Sequence, residues 1–307
     1  MEGINIGPIA VIDIGTNSTR LLVAEVSPEG KIIPLLTDLN ITRLGEGIKG
    51  GLLLPGPVSR TVEAIRDMQA RAAKMSVSSF LATATSAVRD AANREWFLEE
   101  VYRKAGLAVR VLEGQQEAYL SYMGVAGGFS DLGQALIIDI GGGSTEFTWK
   151  KGDLHCRSVN AGAVRMTEGN HTDGEILQVM KDVLEEIRLG GAGKLIGVGG
   201  TVTTLAAMDL ALESYDRSRV HGYALSRNTV ENLKKKLVAA GPAGRKRIPG
   251  LQPERADIIV AGVRILLLLM DALEFDQIIV SEADLMYGLL YELKEAVDKN
   301  IGPQDQK

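Results

Sequence analysis

The sequence predicts a duplicated α/β protein: two domains of the same βββαβαβα order with a cleft between them. Three observations predict this. The stretch Ile12-Asp13-Ile14-Gly15-Thr16-Asn17-Ser18-Thr19 returns as Ile138-Asp139-Ile140-Gly141-Gly142-Gly143-Ser144-Thr145, 126 positions later. A repeat that long marks a duplicated domain rather than a solenoid unit. The flanks of the two copies show the same succession of short apolar runs and helical faces. The chain of 307 residues has room for two cores.

The elements follow from period. In the first half, short apolar runs bounded by Gly, Asp or Asn predict strands at 9–14, 20–26, 31–36, 78–83 and 108–113. Val62, Ile65, Met68, Gln69 and Ala72 trace one face of a helix over 57–75, and further helices are expected at 93–105 and 115–126. In the second half, strands are expected at 136–140, 145–149, 153–159, 194–198 and 276–281. Helices are expected at 173–189, 200–211 and 284–297. Helix-period runs at 228–240 and 254–274 have no first-half counterpart, so 213–274 reads as an inserted helical subdomain. The domains are then 1–128 and 129–307, and Gly127-Gly128 begins the linker and is a candidate hinge.

Composition narrows the function classes. The content is 45% hydrophobic and 24% charged, as in globular proteins. The apolar run Ile265–Met270 is far short of the ~20 residues of a membrane span. The N-terminus lacks a basic-then-apolar signal pattern, and a lone Cys156 fits a reducing compartment, so a cytoplasmic location is expected. A net charge of −5 argues against nucleic acid and against general polyanion affinity. His155, His171 and His221 lack metal-ligand spacing, and the basic run Arg245-Lys246-Arg247 reads as solvated surface.

Each repeat places an Asp at the end of an apolar strand, then a Gly-rich turn, then a second strand. Glycines allow a tight turn and close approach to a ligand. Successive exposed N–H groups in such a turn form an anion nest. Ser18, Thr19, Ser144 and Thr145 add hydroxyls, while Asp13 and Asp139 sit where a phosphate-bound cation would need oxygen. One such loop is also what an ordinary hairpin has; two in matching places point to phosphate. A third turn, Gly199-Gly200-Thr201, opens a helix after a strand, which suits either an anion or close helix–strand packing.

The motifs together resemble the exopolyphosphatase/guanosine pentaphosphate phosphohydrolase (Ppx/GppA) family in its short two-domain form. They are Asp13-Ile-Gly-Thr-Asn-Ser, Arg43-Leu-Gly-Glu-Gly, Ala82-Thr-Ala-Thr-Ser-Ala-Val-Arg89, Gly114-Gln-Gln-Glu117-Ala, Asp139-Ile-Gly-Gly-Gly-Ser-Thr-Glu146, Ala161-Gly-Ala-Val-Arg165 and Val198-Gly-Gly-Thr201. The resemblance implies an actin-like (ribonuclease H-like) fold of the ATPase and sugar-kinase type, and hydrolysis of terminal phosphate from polyphosphate, with pppGpp as a further substrate. It implies Glu117 as catalytic base, Asp139 and Glu146 as carboxylates for Mg²⁺ and the attacking water, and Arg89 as a phosphate contact. Phosphate-binding roles fall on Asp13, Gly15, Thr16, Asn17 and Ser18, on Gly141, Gly142, Gly143, Ser144 and Thr145, and on Gly199, Gly200 and Thr201. A basic track of Arg43, Lys49, Arg89, Arg165 and Arg264 is expected to guide the polyanion. The family also implies a homodimer. Leu285-Met286-Tyr287-Gly288 stands where the family usually has Leu-Arg-Glu-Gly, a departure that bears on chain-length preference. A sugar or acetate kinase and a non-enzymatic actin-like nucleotide-binding protein share the architecture and stay open as alternatives.

Overall fold

A computed structural model describes residues 6–48, 50–191 and 193–301. Lys49, a member of the expected basic track, lies outside the described residues.

The first half runs β1 (Ile6–Ile14), β2 (Thr19–Val26), β3 (Ile32–Asn40), α1 (Pro55–Ala73), β4 (Ser79–Ala84), the single turn α2 (Ser86–Arg89), α3 (Arg94–Ala105), β5 (Arg110–Val111) and α4 (Gly114–Gly128). The second runs β6 (Ala135–Ile140), β7 (Thr145–Lys151), β8 (Asp153–Val159), α5 (Ala163–Glu168), α6 (Asp173–Arg188), β9 (Lys194–Val198), α7 (Gly200–Asp209), α8 (Arg217–Val220), β10 (Ala224–Ser226), α9 (Arg227–Arg245), α10 (Ile259–Leu273), β11 (Gln277–Val280) and α11 (Leu285–Ile301). The sheets order as β3-β2-β1-β4-β5 and β10-β11-β9-β6-β7-β8. In both, the first three strands form an antiparallel meander and the next joins the first in parallel. This is the duplicated actin-like architecture that the repeat predicts.

Period-2 burial explains how each sheet is sandwiched. Ala10, Ile12 and Ile14 face α1 and α3, while Ile9 and Val11 face Leu120 of α4 and Leu285, Leu289 and Leu290 of α11. Leu136, Ile138 and Ile140 face α6 and α10, while Ala135 and Ile137 face Val125 of α4. Helices α4 and α11 therefore fill the space between the sheets. The final helix of the second half covers the first sheet, and α4 lies on the second.

That crossing is closer than ordinary side chains permit. A Cβ at Gly124 would lie 2.0 Å from the Asp284 carbonyl oxygen, and one at Gly288 would lie 2.0 Å from that of Leu120. Glycine is required there so that the two backbones can touch. Gly127 and Gly128, expected in a linker, are instead the last residues of α4, packed against Tyr291 and Ala283 of the incoming chain.

The segment 213–274, expected as a helical insertion, holds a strand: β10 pairs with β11 and forms the edge of the second sheet. Its helix α10 lies in the main core, with Val263, Ile265, Leu266 and Leu269 fully buried. The apolar stripe of α10 covers the sheet rather than closing a separate unit. The short helices α2 and α5 are among the elements that escaped the periodicity, because four and six residues are too few to show a helical face.

Candidate active site

Both repeats fold as the same closed hairpin. Gly15 N–H donates to Ser18 O at 2.9 Å, and Gly141 N–H donates to Ser144 O at 3.0 Å. The N-terminus of α5 grips the second loop from behind: Ala163 N–H donates to Gly141 O at 2.9 Å and Val164 N–H to Gly142 O at 2.8 Å. The loops meet across the cleft, where a Cβ at Gly142 would sit 3.0 Å from Thr16 Cβ and 3.3 Å from Asn17 N. Thr16 Oγ1 and Ser86 Oγ share a hydrogen bond of 2.8 Å. The two loops and the turn 199–201 border one cavity of about 570 Å³, together with Asp13, Glu117 and Asp139. Gly143 and Thr145 point elsewhere: Gly143 abuts Ser86, and the buried Thr145 hydroxyl donates to Ala161 O.

Strand register explains the carboxylates. Asp13 pairs with Arg20 and Asp139 with Glu146, the same step in each copy. The duplication therefore places a cation and an anion at equivalent positions. Arg20 binds Asp13 Oδ2 through Nε at 3.0 Å and Nη2 at 2.7 Å, and its Nη1 reaches Asp284. Glu117, in the first turn of α4, accepts from Arg89 Nη1 at 2.7 Å. Asp139 accepts from Ser121 at 3.0 Å and Glu146 from Ser158 at 2.7 Å. Asp13 Oδ1 and Glu146 Oε2 are buried without a hydrogen-bond partner.

Asp13, Glu117, Asp139 and Glu146 resist ionisation. Burial, then the charge of Asp284, pushes Asp139 up to about 6. Burial, then Asp139, pushes Glu146 up to about 8. Burial and the neighbouring Glu146 raise Glu117 well above the usual carboxylate range despite Arg89. Burial also raises Asp13, with Arg20 opposing it. Buried carboxylates crowded together are high in free energy until a cation joins them. No three His, Cys, Asp or Glu side chains converge into a ready-made cage among the described residues. The donor set still fits Mg²⁺, which takes one or two carboxylates and keeps several waters. Asp139 and Glu146, with the orphaned Glu146 Oε2, are the residues that would hold it.

The expected basic track is not assembled in the cavity. Arg43 pairs with Asp257 at 2.9 Å, Arg165 with Asp90 at 2.6 Å, and Arg264 with Asp173 at 2.6 Å. Each guanidinium is already held by a carboxylate at the rim or beyond, and none lines the cavity. Arg89 stands behind Glu117, also bound to Leu112 O at 3.2 Å.

The cations that do line the cavity were not singled out from the sequence: Arg20, Arg217 and Arg255. Arg20 was legible, since it occupies the repeat position of Glu146. Arg255 lies inside the predicted insertion and carried no local signal. Its Nε donates to Gln252 at 2.9 Å, and among the described residues it has no carboxylate partner. Burial, then the charge of Arg20, pushes it down to about 10. A Cβ at Gly200 would lie 2.0 Å from Arg255 Nη1, so Gly200 lets this cation sit at the N-terminus of α7. Tyr287, at the departure from the family motif, accepts from Arg217 Nη2 at 2.8 Å, and Met286 is buried against the first sheet.

Two Gly-rich loops, guanidinium groups and buried carboxyls, gathered between duplicated lobes, make a site of the phosphohydrolase class. The sequence carries the signature described as the Ppx/GppA phosphatase family over residues 22–296, and the chain belongs to that family. It is 33% identical to the bifunctional 3-dehydroquinate synthase/phosphatase of Fusobacterium nucleatum, over 92% of this chain and 46% of that protein. The chain thus spans about half the length of that relative. It is 30% identical to exopolyphosphatase 2 of Mycobacterium tuberculosis, over 93% of this chain and 98% of that protein. The crystal structure of an exopolyphosphatase from Cytophaga hutchinsonii superposes with a TM-score of 0.85 at 26% identity, covering 94% of this chain and 98% of that one.

Proposed function

We propose that this chain removes the terminal phosphate of inorganic polyphosphate by in-line attack of water. The observation that carries the reading is Glu117: a buried carboxyl, oriented by Arg89, at the cavity where the two phosphate-type loops meet. Burial and Glu146 raise its affinity for protons, and in its ionised form a stronger base is a better acceptor from water. Backbone N–H groups of loops 16–18 and 142–144, beyond the Gly15 and Gly141 bonds that close each turn, would be the donors for phosphoryl oxygens. Arg20 and Arg255 supply positive charge in the cavity lining. Mg²⁺ bound by Asp139 and Glu146 would neutralise phosphate oxygens. Closure of the loops on each other excludes bulk water from the reacting end.

A second substrate, pppGpp, is favoured by a specific feature. Tyr215 and Tyr287 line the cavity, and the Arg217 guanidinium lies 5.5 Å from the Tyr287 ring centre. A bare phosphate chain gains little from aromatic walls, whereas a purine base stacks on them. A homodimer in the cytoplasm completes the proposal, by likeness to the family.

The test is orthophosphate release from polyphosphates of defined length and from pppGpp, with Mg²⁺ or with chelator. Release from polyphosphate only with the metal supports the reading. Release from neither substrate under any condition refutes it.

A further inference from the structure

We infer that Asp90 and Arg165 form a clasp across the cleft that positions the catalytic base relative to the phosphate-binding loop. The inference rests on the hydrolase reading above and adds two positioning residues to it.

Arg165, on α5 of the second half, donates through Nε to Gly143 O at 2.7 Å and through Nη2 to Asp90 Oδ2 at 2.6 Å. Asp90 is the C-cap of the single turn α2 in the first half. Its other oxygen lies 3.5 Å from Nε of Arg89, whose Nη1 holds Glu117 at 2.7 Å. A continuous chain of charged groups thus runs from the carbonyl of Gly143 through Arg165, Asp90 and Arg89 to Glu117. It starts on the loop that receives the phosphoryl group and ends on the group that activates water, in opposite halves.

The other end of α2 makes the same crossing by contact. Ser86 Oγ would lie 2.4 Å from a Cβ at Gly143 and bonds Thr16 of the first loop. The turn α2 is therefore pinned to the second half at both ends, and its Arg89 inherits that alignment.

Arg165 and Asp90 are 37% and 35% exposed at their side chains, so the pair adds little to folding. The Gly141–Gly143 loop keeps its backbone bonds to α5 without it. The clasp matters for registration: a misplacement near 1 Å at a reacting group can cost on the order of 10²-fold in rate.

The experiment compares Asp90→Asn, Arg165→Met, the double variant and Asp90→Glu in the full chain on polyphosphate with Mg²⁺, reading kcat, KM and Tm. Each single variant is expected to lose about 10-fold in kcat with KM changed less than about 2-fold. Tm should move by less than about 3 °C. The double variant should also lose about 10-fold rather than about 100-fold, because the two residues act as one unit. Asp90→Glu keeps the carboxylate and should recover most of the turnover. Singles with wild-type kcat, losses that multiply in the double variant, or a loss confined to KM would each overturn the clasp while leaving the hydrolase reading intact. A wild-type chain without turnover overturns both.

Discussion

Replacing Glu146 with Gln should stabilise the metal-free protein at pH 8 while removing its activity. Glu146 is 2% exposed, and burial beside Asp139 lifts it from an ordinary 4.5 to about 8. The folded state therefore holds this proton more tightly than the unfolded chain. Stability is fully present below about pH 4.5 and falls as pH rises towards 8. At ~1.4 kcal/mol per unit, the loss by pH 8 reaches about 4 kcal/mol. Protons are shared with Glu117 and Asp139, so one substitution recovers less, about 2 kcal/mol. Gln keeps the acceptor for Ser158 and never ionises. Thermal unfolding of both proteins in chelator, from pH 5 to pH 8.5, measures the effect. The variant should gain several degrees at pH 8 and almost nothing at pH 5, and Mg²⁺ should narrow the gap by stabilising only the wild type. A variant less stable than wild type at pH 8, or a gap that does not change with pH, would refute the reasoning.

Three further outcomes follow from the same geometry. Arg20→Met leaves Asp13 and Asp284 without their shared cation; it should cost about 2–4 kcal/mol, more at pH 8 than at pH 5, and raise KM, by thermal unfolding and steady-state kinetics. Gly288→Ala forces a methyl against the Leu120 carbonyl and must spread α4 from α11; a loss of about 1–3 kcal/mol and a fall in kcat through the displaced Glu117 are expected. Arg255→Met removes a cation with no carboxylate partner among the described residues, so it should raise KM at least 10-fold while leaving Tm nearly unchanged or higher.

The sequence was most informative where chemistry repeats. The Asp13 and Asp139 steps, their glycine turns and the strands around them were legible because duplication shows the same local solution twice. Long helices such as α6 were legible through their apolar stripe. The α2 and α5 turns were not, since a helix of one or two turns has no face to read. Neither was the partnership of Arg20 with Asp284, which lies 264 positions away and depends on α11 returning to the first sheet. The roles of Arg43, Arg165 and Arg264 show the reverse limit. A motif, or for Arg264 a place near the expected cleft wall, marks a candidate, but whether a guanidinium is free for phosphate depends on which carboxylate the fold sets beside it. Here Asp257, Asp90 and Asp173 are those partners. The helical reading of 213–274 failed for a related reason. β10 is three residues long, and its place is set by pairing with β11 rather than by its own pattern.

In the proposed reaction Glu117 is the base for water attack on a terminal phosphate. Turnover of polyphosphate by wild type and by Glu117→Gln, with Mg²⁺ and with binding measured in parallel, tests it most directly. The variant should bind polyphosphate with near wild-type affinity and release orthophosphate at least ~10²-fold more slowly. Orthophosphate release by the variant at the wild-type rate would contradict the account.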